Sequence, residues 1–159
     1  MTSSDNFSIA AIRQFLKRCS AEEKRADKIT VLEALSASGL RSIRYAKEIP
    51  GLAGIVANDF SKKAVESIER NVSVNDVSDI VRASHADASA LMYCRRKDVD
   101  RFTIIDLDPY GSAAPFLDAA VQGPNWLTCN CYCGLFSTFW DRDLLVWFGR
   151  GSTLGTPQN

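Results

Sequence analysis

Apolar residues recur at helical spacing over residues 8–19, where Ile9, Ile12, Leu16 and Cys19 share one stripe and Ser8 stands at the N-cap position. A charged connector at 20–28 follows. Residues 29–35 then form a short apolar run with β-branched members, the pattern of a buried strand. The small residues Ser36, Ala37, Ser38 and Gly39 make a turn, and helical spacing resumes over 40–47 until Pro50 and Gly51 end it. A second apolar run at 54–58 closes on Asp59. A third helix is expected over 61–71, capped by Ser61, with Val65 and Ile68 on its inner face. Residues 80–85 predict a strand, 88–93 a short helix, 95–100 a polar loop and 102–107 another strand closed by Asp108 and Pro109. Pro115 starts a helix to residue 122, since the first turn tolerates a missing N–H. Strands alternating with helices at these lengths predict βαβ units and a parallel sheet with helices on both faces.

The rhythm is lost after residue 122. Residues 123–159 are rich in Trp, Cys and Phe and show no clear βα alternation. Their apolar stretch 144–148, LLVWF, either pairs with the sheet as a substitute strand or stays exposed. Two segments are therefore expected: a domain over 8–122 and a divergent tail over 123–159.

Composition narrows the class without naming a chemistry. At 159 residues, with 46% hydrophobic and 24% charged residues, the chain is neither disordered nor a disulfide-rich miniprotein. Nineteen basic residues balance nineteen acidic ones, so any phosphate contact would come from a local patch such as Arg95, Arg96 and Lys97. No window approaches the roughly 18 consecutive apolar residues of a membrane helix, and the polar start is no signal peptide, so no membrane partner is expected. Five cysteines, an odd number, fit a reducing compartment. Cys129, Cys131 and Cys133 alternate at period two, which is not the C-x₂₋₄-C spacing of structural zinc, and no metal site is expected. His85, the only histidine, cannot build one alone.

In an open parallel sheet, ligands bind outside the carboxyl ends of the strands near the point where strand order reverses. The residues just after each strand therefore carry the chemistry. After the first, Ser36 to Gly39 let the backbone approach a ligand at a helix N-terminus, or simply make a tight turn. After the second, Asp59 is placed to accept hydrogen bonds from both hydroxyls of a ribose, or to cap the next helix. After the third, Asp87 and the backbone N–H of Ala88 match an adenine edge, with helix capping as the alternative. After the fourth comes the sharpest signal. Asp108 and the carbonyl near Pro109 would accept from an exocyclic amine, Tyr110 offers a face for a flipped base, and Gly111 permits close approach. The alternative is an Asp-Pro turn.

Together these sites are similar to those of class I, S-adenosylmethionine-dependent methyltransferases acting on exocyclic amines. The wording is more specific still. VLEALSASGLRSIR at 31–44, AND at 57–59, ADA at 86–88, IDLDPYG at 105–111 and FLDAAVQ at 116–122 resemble the tRNA (guanine(26)-N(2))-dimethyltransferase family over residues 8–122. That resemblance implies an α/β, Rossmann-like class I methyltransferase fold, incomplete at its C-terminal half. It implies an intracellular enzyme of nucleus, cytoplasm or mitochondrion that places two methyl groups on one guanine N2 of tRNA, with S-adenosylmethionine as cofactor and tRNA as partner. It puts Arg41, Asp59, Asp87 and Ala88, with Ser38 and Gly39 of the turn, at the methyl donor. It puts Asp108, Pro109, Tyr110 and Gly111 at the target amine. No obligate protein partner is evident.

Two departures stand out. An Asn-Arg-Asp stretch precedes the first helix in the family, and here Ser4, Asp5 and Asn6 replace it, without the Arg. The family continues with another strand, a Thr-Asp loop and a C-terminal domain that helps hold tRNA, where this chain has 123–159. A catalytically inactive chain that at most binds cofactor is thus the alternative. A Rossmann oxidoreductase would need a glycine-rich fingerprint, and residues 36–39 hold one glycine.

Overall fold

A computed structural model of the chain describes residues 3–21, 29–95, 101–109, 112–122, 133–139 and 142–148. The elements run α1 (Ser3–Ala21), β1 (Ile29–Glu33), α2 (Leu40–Glu48), β2 (Leu52–Asp59), α3 (Lys62–Val74), β3 (Val81–His85), α4 (Ala88–Cys94), β4 (Ile104–Leu107), α5 (Ala114–Gln122), β5 (Cys133–Phe139) and β6 (Arg142–Phe148). One sheet has the order β3-β2-β1-β4-β5-β6. Every pairing is parallel except β5 with β6, which is antiparallel.

Successive residues of a strand point to opposite faces, and the core divides accordingly. Val31, Ile55, Ala57 and Ile104 join Ile12, Phe15, Tyr45 and Ile68 in one buried cluster, which roots α1, α2 and α3 on the first face. Their neighbours Leu32 and Ile105 join Met92, Ala119 and Ala120 in a second cluster, which roots α4 and α5 on the opposite face. Burial on both sides is why β1 and β4 read as continuous apolar runs. The arrangement is the expected α/β, Rossmann-like one.

Several local expectations change. α1 begins at Ser3, so Ser8 is an interior helical residue, buried rather than capping. The polar residues before Ile9 carry no apolar stripe, which hid the extra turn. Ser61 occupies the N-cap of α3 but makes no side-chain cap hydrogen bond. Its backbone N–H instead donates to Asp59 Oδ1 at 2.8 Å. The sheet continues past β4, the alternative in which the tail supplies a substitute strand. β5 pairs with β4 from Ile105↔Leu135 to Leu107↔Ser137, and β6 turns back along β5. Position 122 is therefore no boundary of the sheet, and 144–148 lies in its edge strand. Among the described residues, no helix is long and apolar enough to cross a membrane, and no group of three or more His, Cys, Asp or Glu residues could hold a metal ion. Cys129 and Cys131 lie outside the described residues.

Candidate active site

β2 and β3 are laid down on one side of β1 and β4 on the other, so the carboxyl ends of β1 and β4 diverge into a crevice. A cavity of about 520 Å³ occupies it. That size lies in the range of small-molecule sites, roughly 300–1,000 Å³. Its walls come from the loops after β1, β2 and β4. Ser38, Arg41, Asp59, Asp108 and Pro109 all line it, beside Glu33 and the aromatic rings of Phe60 and Phe116.

The β1–α2 turn is held in shape by backbone geometry. Gly39 has φ +74°, in the left-handed region, and a Cβ there would lie 3.1 Å from Ile68 Cγ2. The turn closes with Gly39 N–H donating to the Ser36 carbonyl at 2.9 Å. Asp59 is buried and braces this turn: Oδ2 accepts from Ala37 N–H at 2.9 Å while Oδ1 accepts from Ser61 N–H. Its carboxylate thus joins the loops after β1 and β2, with lone pairs to spare for a ligand.

Asn58, one residue earlier, is a functional scaffold that sequence reasoning missed. Its fully buried side-chain amide donates to the carbonyls of Ala34 and Ala86, each at 3.0 Å, tying the loops after β1 and β3 to the end of β2. A buried polar residue ending an otherwise apolar strand was the available signal.

Asp87 and Ala88 stand apart from the cavity walls. Asp87 is the N-cap of α4, and its Oδ1 accepts from Ala90 N–H at 2.8 Å, while Ala88 packs in the second core cluster. Gly39 shapes the turn behind the wall rather than lining it. Tyr110 and Gly111 lie outside the described residues. His85 shares its Nε2 with the Phe60 carbonyl at 3.0 Å. Arg95 stacks on the Phe102 ring at 4.8 Å, and Arg96 and Lys97 lie outside the described residues. At the departure near the N-terminus, Asn6 accepts from Arg44 of α2 at 2.9 Å.

Arg41 is the electrostatic centre. One terminal nitrogen donates to Asp106 Oδ2 at 3.1 Å, and the other is ion-paired with Asp108 Oδ2. Tyr45 O–H also donates to Asp106 Oδ2, at 2.6 Å. Burial pushes the Tyr45 hydroxyl well above the ordinary phenol range, with the Asp106 charge adding to the shift, so Tyr45 stays a donor. The carboxylates around Arg41 hold its guanidinium in the charged form against the cost of burial. Glu33 pairs in register with Asp106 across β1 and β4 and is also buried. Its Oε2 accepts from the backbone N–H of Ser42 at 3.0 Å and from the Ser42 hydroxyl. Burial, then the Asp106 charge, push its carboxyl up to about 7.

Comparisons with known proteins identify the family and the fold. Residues 1–129 match the family model of the N2,N2-dimethylguanosine tRNA methyltransferases. A tRNA (guanine(26)-N(2))-dimethyltransferase of Schizosaccharomyces pombe is 57% identical over 113 residues, covering 68% of this chain and 20% of the relative. The enzyme of the same name from Homo sapiens is 62% identical over 92 residues, covering 58% of this chain and 14% of the relative. Trm1 from Pyrococcus horikoshii, solved with S-adenosyl-L-methionine, superposes with a TM-score of 0.61 at 28% identity, over 86% of this chain and 37% of that one. A SAM-dependent methyltransferase from Agrobacterium tumefaciens shares the fold at a TM-score of 0.64 and 15% identity, over 89% of this chain and 47% of that one. The chain spans 14% to 20% of the length of these curated relatives. With its family model covering most of the sequence and its strand-end residues gathered in one crevice, the chain belongs to the N2,N2-dimethylguanosine tRNA methyltransferase family.

Proposed function

We propose that the cavity is the S-adenosylmethionine site of a tRNA guanine-N2 methyltransferase. The observation that carries this reading is the convergence of Ser38, Arg41, Asp59, Asp108 and Pro109 on one cavity at the reversal of strand order. The donor set suits the cofactor. Asp59 offers carboxylate lone pairs at the end of β2, where a ribose is held in nucleotide-binding α/β folds. Arg41 adds a positive charge to the wall, and Phe60 and Phe116 offer apolar faces. When bound, the cofactor supplies an electrophilic methyl group on a sulfonium.

Asp108 is half-exposed at the mouth, where a base flipped out of RNA would arrive. Its carboxylate accepts hydrogen bonds from the guanine amine and turns the nitrogen lone pair, otherwise delocalised into the ring, toward the cavity. It can also take the proton the amine sheds. The protein's share is positioning and fixed charge. The relatives named for tRNA methylation support tRNA as the partner, and hence an intracellular setting, with one such relative in Saccharomyces cerevisiae named mitochondrial.

The test is incubation of the chain with S-adenosylmethionine and unmodified tRNA, followed by nucleoside mass spectrometry. N2-methylated guanosine that is lost in Asp108→Asn is the expected result. Absence of methylated guanosine in the presence of donor binding would select the second reading, a chain that binds cofactor without turnover. That reading is favoured by the small share of its relatives that the chain spans.

A further inference from the structure

We propose that Tyr45 and Asp106 are positioning residues for Asp108, acting on it through the Arg41 guanidinium. This rests on the reading that Asp108 holds the substrate amine. Asp106 is the first acid of the IDLDPYG stretch and lies in the middle of β4, where its neighbours are apolar and fully buried. A carboxylate there is costly unless it is paired and hydrogen-bonded. Its Oδ2 takes both donors, Tyr45 O–H at 2.6 Å and Arg41 Nη1 at 3.1 Å, which pins the carboxylate from one side.

The geometry serves direction. Tyr45 and Arg41 are four residues apart on α2, so both reach inward from one helix face. A guanidinium is planar and rigid, so fixing one terminal nitrogen on Asp106 fixes where the other points. It points at Asp108, and the ion pair there holds that carboxylate at the cavity wall. The Tyr45 hydroxyl sets the position of Asp106, Asp106 sets the plane of Arg41, and Arg41 aims Asp108. Neither Tyr45 nor Asp106 lines the cavity, so each acts on the amine through Arg41 and Asp108.

The test uses the full chain with Tyr45→Phe, which keeps the ring and removes only the hydroxyl, and with Asp106→Asn. Three quantities are measured: cofactor affinity by calorimetry, single-turnover methyl transfer at saturating S-adenosylmethionine and tRNA, and the Arg41 side-chain N–H signals by NMR. In Tyr45→Phe, affinity stays within about twofold while the single-turnover rate falls by about tenfold or more, as misplacing a positioned group does. Affinity and rate falling by the same factor would overturn the proposal and make Arg41 a donor ligand first, and an unchanged rate would overturn it too. A wild-type chain that transfers no methyl defeats the catalytic reading only. The NMR signals then decide: resolved, immobile Arg41 signals that broaden in Tyr45→Phe support the relay, and signals unchanged in that variant refute it. If Asp106→Asn fails to fold, Tyr45→Phe alone decides.

Discussion

Replacing Glu33 with Gln should stabilise the folded chain at neutral and alkaline pH while leaving it nearly unchanged in acid. Glu33 is buried at the end of β1, and burial together with the neighbouring Asp106 charge pushes its carboxyl from an ordinary 4.5 up to about 7. A folded-state value above the unfolded one means the native state holds the proton more tightly. Stability therefore falls as pH rises from about 4.5 to about 7 and levels off above that window. Each unit of difference is about 1.4 kcal/mol, so an ionised Glu33 costs the fold about 3 kcal/mol. Gln at this position never ionises, and its carbonyl still accepts from Ser42 N–H. Urea unfolding of both chains at about pH 5 and about pH 8 reads the effect, because titrating groups that do not face Glu33 cancel in the difference. The stability of Glu33→Gln relative to wild type should grow by about 2–3 kcal/mol between the two conditions. Parallel pH profiles for the two chains, or a variant that loses ground in alkali, would refute the assignment of a proton-holding carboxyl behind the site.

Three further substitutions probe the scaffold and the site. Gly39→Ala places a Cβ at a φ of +74° and within 3.1 Å of Ile68 Cγ2, and should cost about 1–2 kcal/mol in denaturant unfolding. Asn58→Ala leaves the Ala34 and Ala86 carbonyls without their donor, and should lower stability by about 2 kcal/mol and weaken cofactor binding in calorimetry, because the loops after β1 and β3 lose their common tie to β2. Asp108→Asn keeps the shape of the wall but removes its charge, so methyl transfer should fall by about a hundredfold in single turnover while donor affinity holds.

The parts of the fold legible in the sequence were those fixed by local pattern. β1, β2 and β4 are short apolar runs because both of their faces are buried, and α2 and α3 follow them at the expected spacing. That Ser38, Asp59, Asp108 and Pro109 would face one crevice was legible because strand ends in a sheet of this order converge there, while Arg41 was read only through the family resemblance. What was hidden depends on contacts distant in sequence. Arg41 and Asp106 meet only because β4 pairs with β1 across the reversal of strand order, although a lone acid amid IIDL already demanded a partner. Asp87 has the right place after β3, but its carboxylate serves the α4 N-terminus, and no strand-end rule separates a cap from a ligand. β5 and β6 escaped because period-two and helical signals are both faint across 123–159. Only 144–148 stood out, and an apolar run alone does not say whether it pairs.

If the crevice between β1 and β4 holds S-adenosylmethionine against Asp59, titration calorimetry of the cofactor into the chain and into Asp59→Ala separates the two proteins. Saturable one-to-one binding in the micromolar range, about −8 kcal/mol, is expected for the wild-type chain, weakened by about tenfold or more in Asp59→Ala. No heat of binding in the wild-type chain, or equal affinity in the two chains, would contradict that placement of the cofactor.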